Sequence, residues 1–270
     1  MDPSPEKVPP TLRPMRIGEL VDAAIKLYRQ HWKSVITIAA VIIVPVAAVQ
    51  AIVLSPLPEL EPGEFPTPEE LGTILSALST ALFVQALTTP LLTGGLSWLA
   101  AKFYLGENPD VKEAFAVALS NFGSLLWVGI LTFLATVVGF IFLIIPGIII
   151  ALRLTFSATA LVVEGVKGTN ALGRSWRLSK GSLGKIFLTL ILSFILVFIF
   201  QAIIGIPVAI IAGAIGPGLG NVVAFAGDAL ASTVATPFAM IVIVLLYFDT
   251  RIRKEGFDLT LMAQEIGPTT

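Results

Sequence analysis

From Ile186 to Ala226 the chain carries no charged side chain, and the stretches Ser34–Leu54 and Leu125–Leu152 are uncharged in the same way. Each run exceeds the roughly 20 apolar residues that a helix needs to cross a hydrocarbon layer about 30 Å thick. A soluble domain of this length covers its surface with about 25% charged residues. Here charged residues make up 13% of the chain and hydrophobic ones 56%. The expected fold class is therefore all-α: a polytopic membrane protein with six transmembrane helices and interfacial amphipathic helices.

The basic residues imply how the chain threads. All 17 Lys and Arg fall in four zones: Lys7 to Lys33, Lys102 with Lys112, Arg153 to Lys185, and Arg251 to Lys254. The segment after the first apolar run instead carries Glu59, Glu61, Glu64, Glu69 and Glu70 among prolines. Bases retained in the cytoplasm set orientation, whereas acids contribute little. Both termini are thus expected in the cytoplasm and the protein in the plasma membrane. The spans are expected at about 34–54, 71–103, 122–145, 147–165, 184–205 and 222–248. "SPLPELEPGEFPTPEE" reads as the first outer loop. "IIPGIII" (Ile144–Ile150) reads as a tight outer hairpin, because Pro disfavours helix continuation and Gly tolerates a turn. "GIPVAIIAGAIGPGLGN" reads as the third outer connection, either plain or partly re-entrant. "TTPLLTGG" (Thr88–Gly95) is the expected bend in the long second span. Residues 1–14 read as a disordered cytoplasmic tail without signal-peptide character. A single membrane domain follows over 15–266, with a short tail at 267–270.

A short amphipathic stretch precedes each outward span. "RIGELVDAAIKLYRQHWK" places Leu20, Val21, Ala24 and Tyr28 on one face. "NPDVKEAFAVALSNFGS" does so more weakly, and "TNALGRSWRLSKGSLGK" sets Leu172, Trp176, Ser179 and Leu183 against Arg174, Arg177, Lys180 and Lys185. Helices of this kind lie in the interface with their bases towards headgroups. The chain is then either three copies of interfacial helix, span out and span back, or six unrelated spans. The spacing Gly205, Ala209, Gly213 would permit close helix contact within or between chains.

Catalytic chemistry is poorly represented. With no cysteine there is no disulfide or thiolate site. The lone His31 sits beside Trp32 and reads as an interface anchor. "GTNALGRS" has Arg174 where a phosphate-binding loop needs Lys. No catalytic residue, metal or other cofactor is expected, and no nucleic-acid partner. Ionisable groups near or in the membrane cost free energy and are often functional. Arg153 is expected roughly 8 Å into the fourth span from the outer side, at a depth like that of Asp228, so that the two could pair. Glu164 and Asp249 are expected at inner span ends, within reach of Arg174, Arg177 or Arg251. Such pairs either fix helix packing or form a polar pocket for a headgroup or ion. Arg174 and Arg177, three apart on a helix, either rest on anionic lipid or fork onto one phosphate. In "YFDTRIRKEGFDL", Tyr247 and Phe248 read as belt aromatics, and Arg251, Arg253 and Lys254 hold the last span's inner end in the cytoplasm. Asp249 and Glu255 are expected to pair with neighbouring bases. Gly256 allows a turn, after which Phe257, Leu261 and Met262 begin a short surface helix.

"LRPMRIGELVDAAIKLYRQHWKS", "PGIIIALRL…ALVVEG…ALGRSWRLSKG" and the terminal "YFDTRIRKEGFDL" together resemble a group of prokaryotic multi-span proteins. That group is similar to the membrane domain of glycerophosphoryl diester phosphodiesterases. In fused members the hydrolytic chemistry belongs to a separate soluble domain whose histidines and carboxylates this chain lacks. The resemblance thus implies a membrane module and no activity. Its motif positions here are Arg153, Glu164, Arg174, Ser175, Trp176, Arg177, Asp249, Arg251, Arg253, Glu255 and Asp258. The expected function is non-enzymatic: engagement of membrane phospholipids, a membrane-protein partner or a second copy through a basic cytoplasmic face. The alternative is a transporter or permease for a lipid or small amphiphile, motivated by Pro90, Pro237, the Gly-rich 205–220 and the Arg153–Asp228 pair.

Overall fold

The computed structural model describes residues 13–54, 57, 65–216 and 218–257. Residues 1–12 of the expected tail, the acidic loop residues Glu59, Glu61 and Glu64, the surface helix with Leu261 and Met262, Asp258 and the tail 267–270 lie outside the described residues. The described chain is helical throughout: α1 Ile17–Leu54, α2 Pro68–Tyr104, α3 Val111–Ser120, α4 Phe122–Phe142, α5 Ile144–Leu154, α6 Ser157–Glu164, α7 Thr169–Ser179, α8 Leu183–Ile215 and α9 Leu219–Glu255. Six units are long and apolar enough to cross a membrane: α1, α2, α4, α5 with α6, α8 and α9. This is a multi-pass membrane architecture. The order amphipathic segment, span, return span occurs three times. The first amphipathic segment is fused to its span through a kink at His31 (φ −119°, ψ 22°), whose ring stacks 3.8 Å from that of Phe103.

α9 is the central helix. It packs most extensively against α8 and α1, and nearly every residue from Phe238 to Thr250 is buried. Tyr247 and Phe248 are fully buried and do not form an interfacial belt. Burial is concentrated towards one end of the bundle, called proximal here, where Met15 meets Asp249. In α8 the buried residues are Ile186, Thr189 and Ser193, all in its proximal part. At the opposite, distal end the spans pack more loosely. α9 at about 1.5 Å per residue is roughly 55 Å long, so it projects beyond a hydrocarbon layer of about 30 Å.

Three expected breaks fall elsewhere. The α4–α5 hairpin turns at the single extended residue Leu143 (φ −168°, ψ 154°). Pro146 lies in the first turn of α5, where a missing N–H leaves no helix bond unmade. Gly147 is helical: a Cβ there would meet the Phe140 ring at 2.5 Å, and one on Gly139 would meet the Gly147 Cα at 2.9 Å. Glycine thus sets close helix approach at this hairpin and does not make its turn. Residues 205–215, expected as connection or re-entrant loop, continue α8 through Pro207, and the chain reverses at Gly216 and Gly218 (φ 89° and 84°). Close contact between α8 and α9 comes from Gly220 against the Ala212 carbonyl and Gly227 against Val208, whereas Gly205 and Gly213 face open space. α2 is a continuous helix through "TTPLLTGG", and Gly94 and Gly95 admit Leu125 and Ile38.

Candidate functional site

The proximal end gathers most of the expected charged residues, and α9 supplies the framework. Tyr247, Asp249, Arg251, Arg253, Lys254 and Glu255 occupy its last turns, where cations also complement the helix C-terminus. α6 ends at Glu164, released by Gly165 in a left-handed conformation (φ 70°).

In the first cluster, Arg174 of α7 bridges two carboxylates. Its Nε and Nη2 donate to Glu164 Oε2 and Oε1 at 2.7 and 2.9 Å. Nη2 also donates to Glu255 Oε2 at 2.7 Å, and Nη1 to Glu255 Oε1. The Tyr247 hydroxyl donates to Glu164 Oε1. Arg251 closes the group, with Nε 3.2 Å from Glu255 and 3.6 Å from Glu164 and its guanidinium 4.0 Å from the Phe257 ring centroid. Hydrogen bonds from Arg174 to Glu255 and then Glu164 push its basicity upward, so it stays a cation and its planar fork locks α6, α7 and α9 together.

The second cluster surrounds Asp249, whose side chain is fully buried. Its carboxylate accepts the Met15 N–H at 2.7 Å, the Lys185 ammonium of α8, and Arg253 Nε at 3.0 Å. The Met15 carbonyl accepts from Lys185 and Arg253, both at 2.7 Å. One backbone unit before α1 is thereby tied to α8 and α9. Buried charges of this kind are tolerated only with near-complete hydrogen bonding, and Asp249 has it.

The third group forms around the interruption between α5 and α6. The Arg153 carbonyl, released where the helix breaks, accepts from Ser175 Oγ at 2.7 Å and Ser179 Oγ at 3.2 Å. The Phe156 N–H donates to Ser175 Oγ at 3.1 Å. Two α7 hydroxyls thus substitute for missing helix bonds. Consequently the buried stripe of α7 is Ala171, Ser175, Leu178 and Ser179, and Trp176 is 44% exposed. Of the expected apolar face, Ser179 is buried and Leu172 packs partly on protein, whereas Trp176 turns outward, and the face buried on protein is shifted to Ala171, Ser175, Leu178 and Ser179.

Arg153 and Asp228 do not pair. The Arg153 guanidinium lies 4.8 Å over the proximal Trp176 ring, while Asp228 lines a distal cavity. Arg153 thus belongs to the proximal set, its long stem carrying the charge along the helix towards that end. Nor do Arg174 and Arg177 converge on one position: Arg174 is occupied by its two carboxylates, and Arg177 is exposed. Among the described residues Arg153, Arg177, Lys180 and Lys254 have no carboxylate within ion-pair distance. Lys254 Nζ donates to the carbonyls of Arg177, at 3.3 Å, and Lys180. These four bases with Trp176 form a cationic surface left over after internal pairing.

Tyr247, Lys185, the Met15 backbone and Ser179 were not legible as site members, and Ser175 entered only as a motif position of the resemblance. Only the recurrence of Ser175 and Ser179 at helical spacing hinted at a buried polar stripe. Among the described residues no group of His, Asp or Glu is arranged to hold a metal ion.

The distal cavity holds about 420 Å³ between α1, α2 and α9. Asp228, Gln50, Gln85, Thr89 and Ser232 line it with Phe225 and aliphatic residues. Gln50 donates to Gln85 at 3.2 Å, and Gln85 to Thr89 at 3.2 Å.

Residues 110–250, from the cap of α3 to near the end of α9, match the model of a protein family described as Domain of unknown function (DUF7847). No curated protein and no solved structure matches the chain.

Proposed function

We propose that this chain, which belongs to the family of that domain of unknown function (DUF7847), binds anionic phospholipid headgroups at the cytoplasmic face of the plasma membrane and catalyses no reaction on them. The supporting observation is the surface of Arg153, Arg177, Lys180 and Lys254 around the exposed Trp176. Bases near an anionic leaflet each favour lipid by about 1 kcal/mol, and an indole with one apolar and one polar edge suits the headgroup level. Arg174, Arg251, Arg253 and Lys185 hold the fold through carboxylates and do not contribute to that surface. The resemblance to the membrane domain of glycerophosphoryl diester phosphodiesterases implies a membrane module and is compatible with this reading. The test is native mass spectrometry of the full chain from mixed phosphatidylglycerol and phosphatidylcholine. The wild type is expected to retain phosphatidylglycerol preferentially, and the double variant Arg177→Glu, Lys180→Glu to lose about tenfold or more of that preference, from two bases at about 1 kcal/mol each. Equal retention of both lipids by the wild type, or an unchanged preference in the double variant, would overturn it.

A second reading, a permease for a lipid or small amphiphile, is favoured by the distal cavity. Binding sites of membrane transporters lie between spans, beside irregular or proline-containing helices, and this one is bordered by α2 with Pro90 and α9 with Pro237.

A further inference from the structure

Asp228 differs from the three acids at the proximal ends of the spans. Glu164, Asp249 and Glu255 each meet cations, whereas none of the ion pairs among the described residues includes Asp228. The described residues around its cavity include no Lys, Arg or His. It stands nine positions into α9 from Leu219, about 13 Å along the helix, near the distal edge of a hydrocarbon layer that α9 outspans. Asp228 is exposed on the helix surface, and a carboxylate facing a lipid layer is costly without a counter-charge, which the described residues do not supply.

The cavity walls say what the counter-charge is attached to. Leu54 lines it at the distal end of α1, and Thr93 and Thr236 line its most proximal part, called the floor here. The hydroxyls of Thr89 and Thr93 donate to the carbonyls of Gln85 and Thr89 in their own helix, at 2.8 and 2.9 Å, and Ile42 and Leu92 line the same part of the cavity. Ile43, Val46 and Phe225 add apolar wall. The volume falls within the range of small-molecule sites, well beyond a single ion. One carboxylate is also far short of the oxygen set that a divalent cation requires.

We propose that this cavity binds a small amphiphilic ammonium ion, its N–H donors on Asp228 and the amide oxygens of Gln50 or Gln85, and its apolar body directed towards the floor. Phe225, in the same lining, is an aromatic ring of the kind that attracts cations. This deepens the permease reading by naming its ligand class, yet it concerns binding alone: a cavity that binds without moving its ligand removes that reading and leaves this one standing.

The experiment is isothermal titration of hexylammonium chloride into the full chain in nanodiscs of zwitterionic lipid, beside hexanol and hexyl sulfate to account for partition into the bilayer. Saturable binding of hexylammonium alone is expected, weakened tenfold or more in Asp228→Asn and less in Asp228→Glu. Equal behaviour of the three hexyl compounds, or undiminished binding by Asp228→Asn, would refute the site. Should Asp228→Asn not fold, the wild type still decides the matter. Modification of Asp228 by dicyclohexylcarbodiimide, followed by peptide mass spectrometry, is expected to slow at least fivefold with hexylammonium and not with hexanol. No protection overturns the proposal.

Discussion

Asp249, fully buried near the proximal end of α9, accepts the ammonium of Lys185 from the first turn of α8. Two spans are thereby joined at the level where they leave the membrane. The pair also seizes the N–H and carbonyl of Met15, which places the start of α1. Removing one partner of a buried pair leaves an uncompensated charge, at a cost of about 3–5 kcal/mol. Lys185→Met is expected towards the low end, because Arg253 and the Met15 N–H remain on the carboxylate. The double change Lys185→Met, Asp249→Leu is expected to recover part of the loss, since no charge then stays buried. Thermal unfolding midpoints in detergent check both outcomes.

Arg174 serves two carboxylates through its planar fork, which a lysine cannot imitate. Arg174→Lys is therefore expected to destabilise the α6–α7–α9 junction by about 1–3 kcal/mol. Glu164→Gln and Glu255→Gln share that arginine, so their effects are expected to be non-additive by at least about 0.5 kcal/mol. A double-mutant cycle in denaturant unfolding measures the coupling, and strict additivity would mean that the two carboxylates act separately.

Ser175 satisfies both groups left by the α5–α6 interruption, the Arg153 carbonyl and the Phe156 N–H. Ser175→Ala leaves the buried N–H without a partner while Ser179 retains one bond to the carbonyl. A loss of about 1–3 kcal/mol is expected, with faster amide exchange in α6 and α7 than in α9. Unchanged exchange would place the anchoring of α7 elsewhere.

The spans were legible because length without charge is sufficient to mark a membrane helix, and the bases marked where they cluster. Of the bases expected within reach of the two inner carboxylates, Arg174 and Arg251 do meet Glu164, whereas Asp249 pairs instead with Lys185 and Arg253. What stayed hidden has one physical origin. Lipid tails are as apolar as leucine, so hydropathy does not tell a helix face turned to lipid from one turned to protein. Tyr247 and Phe248 therefore read as belt residues although both are buried. Proline and glycine also lose force as breakers, because spanning helices tolerate them when neighbours satisfy the backbone. This is why α8 runs through Pro207, and why the interruption at Thr155–Phe156, with neither residue a proline or glycine, was invisible. Arg153 was misplaced for a related reason: its position along the span is near the middle, and only its side chain's course towards Trp176 assigns it to the proximal end.

The glycines divide into two classes with opposite expectations. A Cβ on Gly139 would press on the Gly147 backbone at 2.9 Å, and backbone cannot swing aside as a side chain can. Gly139→Ala is expected to destabilise the α4–α5 hairpin by about 1–3 kcal/mol, the usual penalty of overpacking. Gly205→Ala and Gly213→Ala meet nothing within 4 Å and are expected to be neutral or to gain up to about 1 kcal/mol from helix propensity. If both α8 substitutions instead weakened the protein, their open faces would be in contact with a second copy, which crosslinking would then detect.

Orientation can be read directly, because the chain has no cysteine to remove. Lys167 and Glu107 lie in proximal connections, and Glu69 opens α2 at the distal end; all three are exposed. By the retention of bases on the cytoplasmic side, the proximal end is expected inside. A membrane-impermeant maleimide is therefore expected to label Lys167→Cys and Glu107→Cys in inside-out vesicles and Glu69→Cys in intact cells. The reverse pattern would move the leftover cations Arg177 and Lys180 to the outer leaflet and deprive the headgroup reading of its anionic surface. Labelling of Lys167→Cys and Glu69→Cys from the same side would contradict the helix order itself, since three spans (α2, α4 and the α5–α6 pair) separate the two positions.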